Sequence, residues 1–570
     1  MEAASNIEVE ARSPPIHNLD EDLLLNIFMI NANMDEDPSE YRKFFQDWGP
    51  RALTVTRNTS HVCSFWRQAM LSSPSLWGRL VDLDYLILLK KEWREEIMRR
   101  TGTSLLHVKN THTTNWYIPT FLPFLAYVLD VHWARIEILD VSTYFEGDYK
   151  GDLWYPIARP SKALKAFRVA LGALQQPIQS GETLFGNDAP RLREVQLIAR
   201  FQANLYLSSS WLSQLCHLEV SGAPPTSRPT LLAWLEKLAD MPFLRILRLY
   251  SAFNSVFEDR VSLPVIELPN LTKLQVKQDL YSAALFLNHI KIPAKCRMCI
   301  TISGIFTTPK FPSRDHLIVD VLSKYSKRWF SANTEWTNLA LNLKVMLWQS
   351  LSIVQFEENA LEHDSTGSAV SKVFEASVNV GDDDVEILEL LPYFSVFSQC
   401  NFSHITMLSI RLTFSLDMAP AAISHLQNII SHSVHALPEV EALATSMELI
   451  SQLTKLPRDA DMPTPFPKLK VLTLYDTFVI REWDDTGEHP NPGREVAELF
   501  FRQRQEDGCP IQVLDLTACE YSTSPDMSYL ENVEGMKVKW LDSGGSRQEA
   551  ICGSGRVAQG LGQNFSARKM

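Results

Sequence analysis

The sequence predicts an α/β chain. A small all-α module near the N-terminus comes first, followed by an irregular α/β solenoid in which a strand-then-helix unit repeats. Three observations point there. Apolar residues between 14 and 80 recur at helical spacing. A loose Leu-x-x-Leu-x-Leu pattern recurs along much of the remaining chain. At 570 residues, the chain is also too long for one compact core unless that core repeats, since domains run to roughly 100–200 residues.

In the N-terminal module, Leu19, Leu23, Ile27 and Ile30 form one helical stripe, which Leu24 and Phe28 widen. Asp20, Glu21 and Asp22 crowd the first turn, where the helix dipole favours negative charge, so a helix is expected to start near Asp20. A polar loop spans 31–50, broken by Pro38, Gly49 and Pro50. A second helix is predicted with Val55, Val62, Trp66 and Ala69 on one face, ended at Ser73-Pro74 because proline cannot continue it. Leu76 and Trp77 begin a short third element. Three short helices bury little surface alone, so part of their apolar face is expected to stay open to a partner.

These residues resemble the F-box family. The matching parts are Leu19, Leu23-Leu24-Leu25, Ile27-Phe28, Val62-Cys63, Trp66-Arg67, Ala69 and Pro74-Ser75-Leu76-Trp77. The nearest variant is the one common in mushroom-forming fungi, whose start typically reads SPISxLPxELLxxIF. Asp20 stands where that variant has proline and Asp22 where it has glutamate, and the loop between the helices is long. The resemblance implies docking to the Skp adaptor of a cullin-RING ubiquitin ligase. By resemblance, the adaptor-binding residues are Leu19, Leu23, Leu24, Ile27, Phe28, Val62, Trp66, Leu76 and Trp77. Each of these side chains could instead pack the module's own core.

Beyond residue 80 the repeat reads Trp133-Ile136-Ile138, Leu164-Phe167-Val169, Leu192-Val195-Leu197, Leu215-Leu218-Val220, Leu244-Leu247-Leu249 and Leu271-Leu274-Val276. The starts are 31, 28, 23, 29 and 27 residues apart, close to the roughly 20–29 residues of leucine-rich repeats. Ile300-Ile302 marks an imperfect seventh copy, and the pattern returns at Ile405-Leu408-Ile410, Leu469-Leu472-Leu474 and Ile511-Leu514-Leu516. The alternating part of each copy reads as a strand, and runs such as 230–239 read as helices between strands. The segment 465–516 also resembles the C-terminal part of the same fungal F-box proteins. The expected organisation is a disordered 1–13, an F-box at 14–80, a leucine-rich-repeat-like solenoid at 81–302, an irregular region at 303–395 with a polar insertion at 357–384, further repeats at 396–541 and a flexible tail at 542–570.

Composition narrows the function classes. The net charge is −13 with no long Lys/Arg run, which does not favour a nucleic-acid surface, although a local basic patch is compatible with it. The eight cysteines are sparse and unevenly spaced, and read as reduced thiols in the cytosol or nucleus. No secretory signal is read at the start, and the most apolar stretch, 117–129, is too short to span a bilayer. Cys296 and Cys299 form a CxxC without a second ligand pair, and read as ordinary thiols. His404, His425, His432 and His435 lack a carboxylate at ligand spacing, while Gly553-Ser554-Gly555 and Gly560 lack the spacing of a dinucleotide loop.

No catalytic motif, metal site or cofactor is therefore expected. The leading expectation is a non-enzymatic substrate receptor of an SCF-type ubiquitin ligase. It would dock to the Skp adaptor through the N-terminal helices and hold a target protein, of unknown identity, on the repeat. The alternative is an interaction scaffold with a degenerate F-box acting outside a ligase. An enzyme with a site assembled from distant residues ranks below both.

Overall fold

The computed structural model describes residues 19–34, 51–110, 120–143, 153–171, 183–198, 207–222, 228–254, 262–303, 312–345, 349–356, 372–380, 400–414, 434, 436–456, 464–475, 492–519, 528–542 and 545–557. The predicted N-terminal disorder, most of the 31–50 loop, His425, His432, His435, Gly560 and residues 558–570 lie outside them. The described chain is mixed α/β with extended parallel pairing, in two compact units: 1–228 with 240–244, and 229–239 with 245–570.

The first unit opens on α1 (Glu21–Asn31), whose N-cap Asp20 accepts the Leu23 N–H at 2.8 Å. The residue that departs from the family pattern therefore satisfies a donor that the helix itself leaves orphaned. The single second helix expected from the sequence is two helices, α2 (Ala52–Thr59) and α3 (Ser64–Leu71). Small polar residues break it by competing for the backbone: Thr59 Oγ1 donates to Val55 O and Ser60 Oγ to Arg57 O. Cys63 then turns extended and caps α3. Pro74 opens α4 (Pro74–Gly78) at its first turn. A Cβ on Gly78 would stand 2.3 Å from the Leu105 carbonyl oxygen, so this close approach requires glycine.

Helices α5 (Leu83–Leu86), α6 (Lys91–Arg100) and α7 (Phe121–His132) accompany β1 (Val81–Asp82), β2 (Leu106–Lys109), β3 (Ile136–Thr143), β4 (Ala166–Leu171), β5 (Glu194–Ile198) and β6 (His217–Ser221). The six strands pair in chain order, all parallel. The residue before each strand donates to the preceding copy: Lys165 N–H to Glu137 O, Arg193 N–H to Lys165 O, Cys216 N–H to Arg193 O. The leading residues Leu164, Leu192 and Leu215 are fully buried, as are the strand positions Phe167, Val195 and Leu218.

The first copy differs from the sequence reading. A bulge in the β2–β3 register places Leu139 and Val141 inward and leaves Ile138 half-buried. The links between strands also differ: 155–158, 184–187 and 210–214 are 3-10 turns, not helices. Aromatic rings fill the space under them. Phe185 meets Phe167 at 5.0 Å, Trp211 at 5.3 Å and Trp133 at 6.2 Å between ring centroids.

The second unit begins with α8 (Leu231–Ala239), where a helix was expected. Its sheet contains β7 (Ile246–Tyr250), β9 (Lys273–Gln278), β11 (Arg297–Ser303), β12 (Asn338–Val345), β13 (Gln349–Phe356), β14 (Lys372–Val380), β15 (Met407–Phe414), β16 (Ala442–Thr445), β17 (Val471–Leu474), β18 (Val513–Asp515), β19 (Lys537–Leu541) and β20 (Arg547–Ile551). β8 (Ile266–Glu267) and β10 (Ile290–Lys291) form a separate parallel pair. The helices are α9 (Leu280–Asn288), α10 (Pro312–Ala332), α11 (Met447–Thr454) and α12 (Pro492–Glu506).

The region 303–395 is not irregular where it is described. It holds the 21-residue α10 and three strands. β13 runs antiparallel to both β12 and β14, β14 pairs parallel with β11, and β12 pairs parallel with β15. This hairpin-like excursion interrupts the run of parallel strands, which is why the leucine pattern of the sequence fades there. Part of the expected polar insertion, 372–380, is the strand β14; the rest lies outside the described residues. From β15 to β19 the strands again pair parallel in chain order. The start of the expected flexible tail is β20, antiparallel to β19.

Candidate docking surfaces

The N-terminal helices carry apolar side chains on two sides. Leu24 and Phe28 are fully buried, while Leu23 is 50% exposed, Ile27 42% and Ile30 65%. The last three recur at i, i+4 and i+7, which is one face of α1. Phe28 meets the half-buried Trp66 of α3 edge-on at 5.2 Å between ring centroids, so the two helices are locked on their inner side. On the same chain segment Val62, Phe65 and Leu71 are exposed.

The nine residues predicted to bind an adaptor therefore divide. Leu23, Ile27 and Val62 are exposed, Leu19 and Trp66 are half-buried, and Leu24, Phe28, Leu76 and Trp77 are buried. The buried four pack this module and present no surface. Trp77 shows why: its indole N–H donates to Met70 O at 2.8 Å, and the Arg100 guanidinium lies 4.9 Å from the ring centroid. Periodicity gave no signal for Phe65 and Leu71, because their face depends on the break between α2 and α3.

The outward face of β2–β6 is a ladder of charge. Arg168 donates to Glu194 through Nε at 2.9 Å and through Nη2 at 2.7 Å, and to Asp140 at 3.2 Å. His217 Nδ1 lies 2.7 Å from Glu194 on the next strand. Glu137, at the β3 bulge, accepts from Lys165 and lies 2.9 Å from His107 Nε2. Burial alone would raise the Glu194 carboxyl, but the hydrogen bonds from His217 and Arg168 outweigh it and hold the group at about 2. Glu137 is lowered in the same way: burial opposes, while Lys165 and His107 prevail.

The ladder predicts an acid-sensitive stability. The folded Glu194 value lies below its ordinary 4.5. Its contribution is therefore complete above that value and disappears as pH falls toward about 2. Discounted for partial exposure, the loss is about 1–2 kcal/mol. Urea titrations at pH 6 and pH 3 are expected to show wild type losing this much more than Glu194→Gln. An equal loss in both would remove the assignment.

The remaining candidates are chemically quiet. Cys296 is buried, and burial pushes its thiol up to about 12, far from a reactive thiolate. The His404 imidazole is lowered by burial. Gly553 and Gly555 do form an anion-holding loop with φ of 88° and 71°, but its occupant is Glu531. That carboxylate accepts N–H groups from Gly553 at 2.7 Å, Gly555 at 3.1 Å and Val557 at 2.8 Å. Among the described residues, no three or more His, Cys, Asp or Glu side chains are grouped to hold a metal, and no helix is long and apolar enough to cross a membrane.

No family model matches the chain, and no curated protein matches it.

Proposed function

We propose that this chain is a non-enzymatic substrate receptor of an SCF-type ubiquitin ligase, with α1–α4 acting as an F-box and the parallel strands as a leucine-rich-repeat-like solenoid. The observation that carries the reading is the two-sided α1. A helix whose inner face is sealed by Leu24 and Phe28, yet which keeps Leu23, Ile27 and Ile30 in solvent, presents an apolar row suited to a partner. The resemblance of residues 19–77 names that partner as the Skp adaptor and, through it, a cullin-RING ligase. Strands recurring in parallel register support a repeat whose outward faces hold the target. The mechanism is proximity: no bond is made on this chain, and the target's effective concentration beside the ubiquitin-charged enzyme rises.

Co-purification with the Skp adaptor tests it. Leu23→Ala with Ile27→Ala is expected to cut capture at least about tenfold, since each truncation removes about 1–2 kcal/mol from an apolar interface. Both residues are exposed, so the variant is expected to melt within a few degrees of wild type. Undiminished capture by a folded variant would remove the α1 surface. A wild-type chain that captures no adaptor would favour a scaffold acting outside a ligase.

A further inference from the structure

The strand β20 and the loop after it are held to the second unit by few buried side chains. Of residues 545–557, only Cys552 and Val557 are buried, while Arg547, Gln548, Glu549 and Ile551 are exposed. The neighbouring β19 is rooted differently: Val538 and Trp540 are both buried. β20 therefore rests on its backbone bonds. The Asp542 N–H donates to Ser546 O and the Cys552 N–H to Met536 O, both at 2.9 Å. Antiparallel bonding alternates, so between these two the hydrogen-bonded pairs are Val538–Ala550 and Trp540–Gln548. Beyond β20, Glu531 closes the arrangement from the 3-10 turn 528–532: its carboxylate accepts the N–H groups of Gly553, Gly555 and Val557. Three bonds to one charged group fasten the end of the segment at a single point.

We propose that residues 545–557 are a releasable strap, latched by Glu531, which covers the β19 edge until an extended segment of another protein displaces it. A segment with few buried contacts and solvent-exposed backbone bonds opens at a lower cost than the sheet it lies on. Opening bares the N–H and C=O groups of Val538 and Trp540, a row suited to strand addition. The strap itself shows what an incoming strand must carry. Ala550 and Gln548 stand opposite Val538 and Trp540, so small or polar side chains fit there. Glu549 stands opposite Lys539 and 3.3 Å from Lys537 Nζ, so the position between them takes a carboxylate. The strap is independent of adaptor docking, and either can fail alone.

Amide hydrogen exchange on the full chain tests the latch. Glu531→Gln is expected to speed exchange at Val538, Trp540, Ala550 and Val557 at least about tenfold. Leu472 in β17 and Leu514 in β18 are expected to stay within about twofold of wild type. If Glu531→Gln melts early, Gly555→Ala replaces it. The added Cβ meets no atom within 4 Å, but the φ of 71° becomes strained, and about a fivefold acceleration of the same amides is expected. A fluorescein-labelled copy of residues 546–551 tests the edge by anisotropy. This peptide lacks the three amides that Glu531 holds, so the substitution does not weaken it directly. Saturable binding to the unlatched chain is expected. Wild type is expected to bind at least about tenfold more weakly, because its own strap competes at high effective concentration. A copy with glutamine in place of its glutamate is expected to lose about threefold or more. Unchanged exchange in a folded unlatched chain would overturn the latch, as would equal acceleration in β17 and β18. Equal peptide binding to both chains, or none to the unlatched one, would overturn the covered edge.

Discussion

Replacing Phe185 with alanine is expected to destabilise the first unit by about 3–5 kcal/mol. The ring is fully buried and stands between Phe167, Trp211 and Trp133, with centroid separations of 5.0, 5.3 and 6.2 Å. It fills the core beneath three consecutive parallel strands, where 3-10 turns leave no helix to do so. It does this from a conformation a bulky residue rarely adopts, φ 60° and ψ 23°, and Asn187 two residues on is also at φ 60°. Packing overrides backbone preference here, and Asn187 Oδ1 helps to hold the turn by accepting the Ser210 N–H at 2.7 Å. Two substitutions separate the effects. Alanine deletes the ring and keeps the left-handed strain; glycine deletes the ring and relieves the strain. Phe185→Gly is therefore expected to be about 1 kcal/mol less damaging than Phe185→Ala. Urea denaturation followed by near-ultraviolet circular dichroism measures both. An alanine loss below about 1 kcal/mol would show that the aromatic column is not the core of this unit.

The limits of the sequence can be seen in particular residues. Helix α1 was legible because acidic residues and apolar spacing agree on one start, and Asp20 is indeed its cap. The choice between Leu23 and Leu24 was not. Neighbouring leucines on a helix point about 100° apart, and only the packing of α2 and α3 against α1 decides which one is sealed. The strand pattern was legible wherever its leading residue is large and apolar, as at Leu164, Leu192, Leu215 and Leu469, all buried. It was missed at β16, where Val440, Leu443 and Thr445 keep the frame but Ala442 and Ala444 weaken the alternation. Bulges erase frame, so Ile138 was read as inward where Leu139 is. The charge ladder joins residues 23–30 apart in sequence, such as Glu194 with His217 and Glu137 with His107; Arg168 with Asp140 falls between them. Those pairs become visible only when the copies are laid side by side in register, which sets Glu194 beside His217 and Arg168 beside Asp140. No local motif reports them.

Arg504→Met is expected to cost the second unit about 3–5 kcal/mol, through polar satisfaction where Phe185 acts through volume. Arg504 lies on α12 and is only 3% exposed. Its guanidinium donates to four carbonyl oxygens: Cys509 at 2.9 Å, Pro465 at 2.7 Å, Phe466 at 3.1 Å and Leu469 at 3.3 Å. Three of these belong to the segment leading into β17, where Phe466 is buried at φ 50°. The arginine thus ties the end of α12 to a left-handed turn that sets the start of a strand. Burial lowers its basicity, while the Cys509 and Asp507 side chains act in the opposite direction. Methionine matches the stem but leaves four acceptors without this donor in a closed site. Lysine keeps the charge but cannot spread a planar fork over several carbonyls, so Arg504→Lys is expected to lose about half as much. Urea midpoints of the three chains give the order Arg, Lys, Met. If lysine and methionine are equally damaging, geometry alone carries the tie; if lysine equals arginine, charge alone does, and the fork of carbonyl bonds is not what holds the turn.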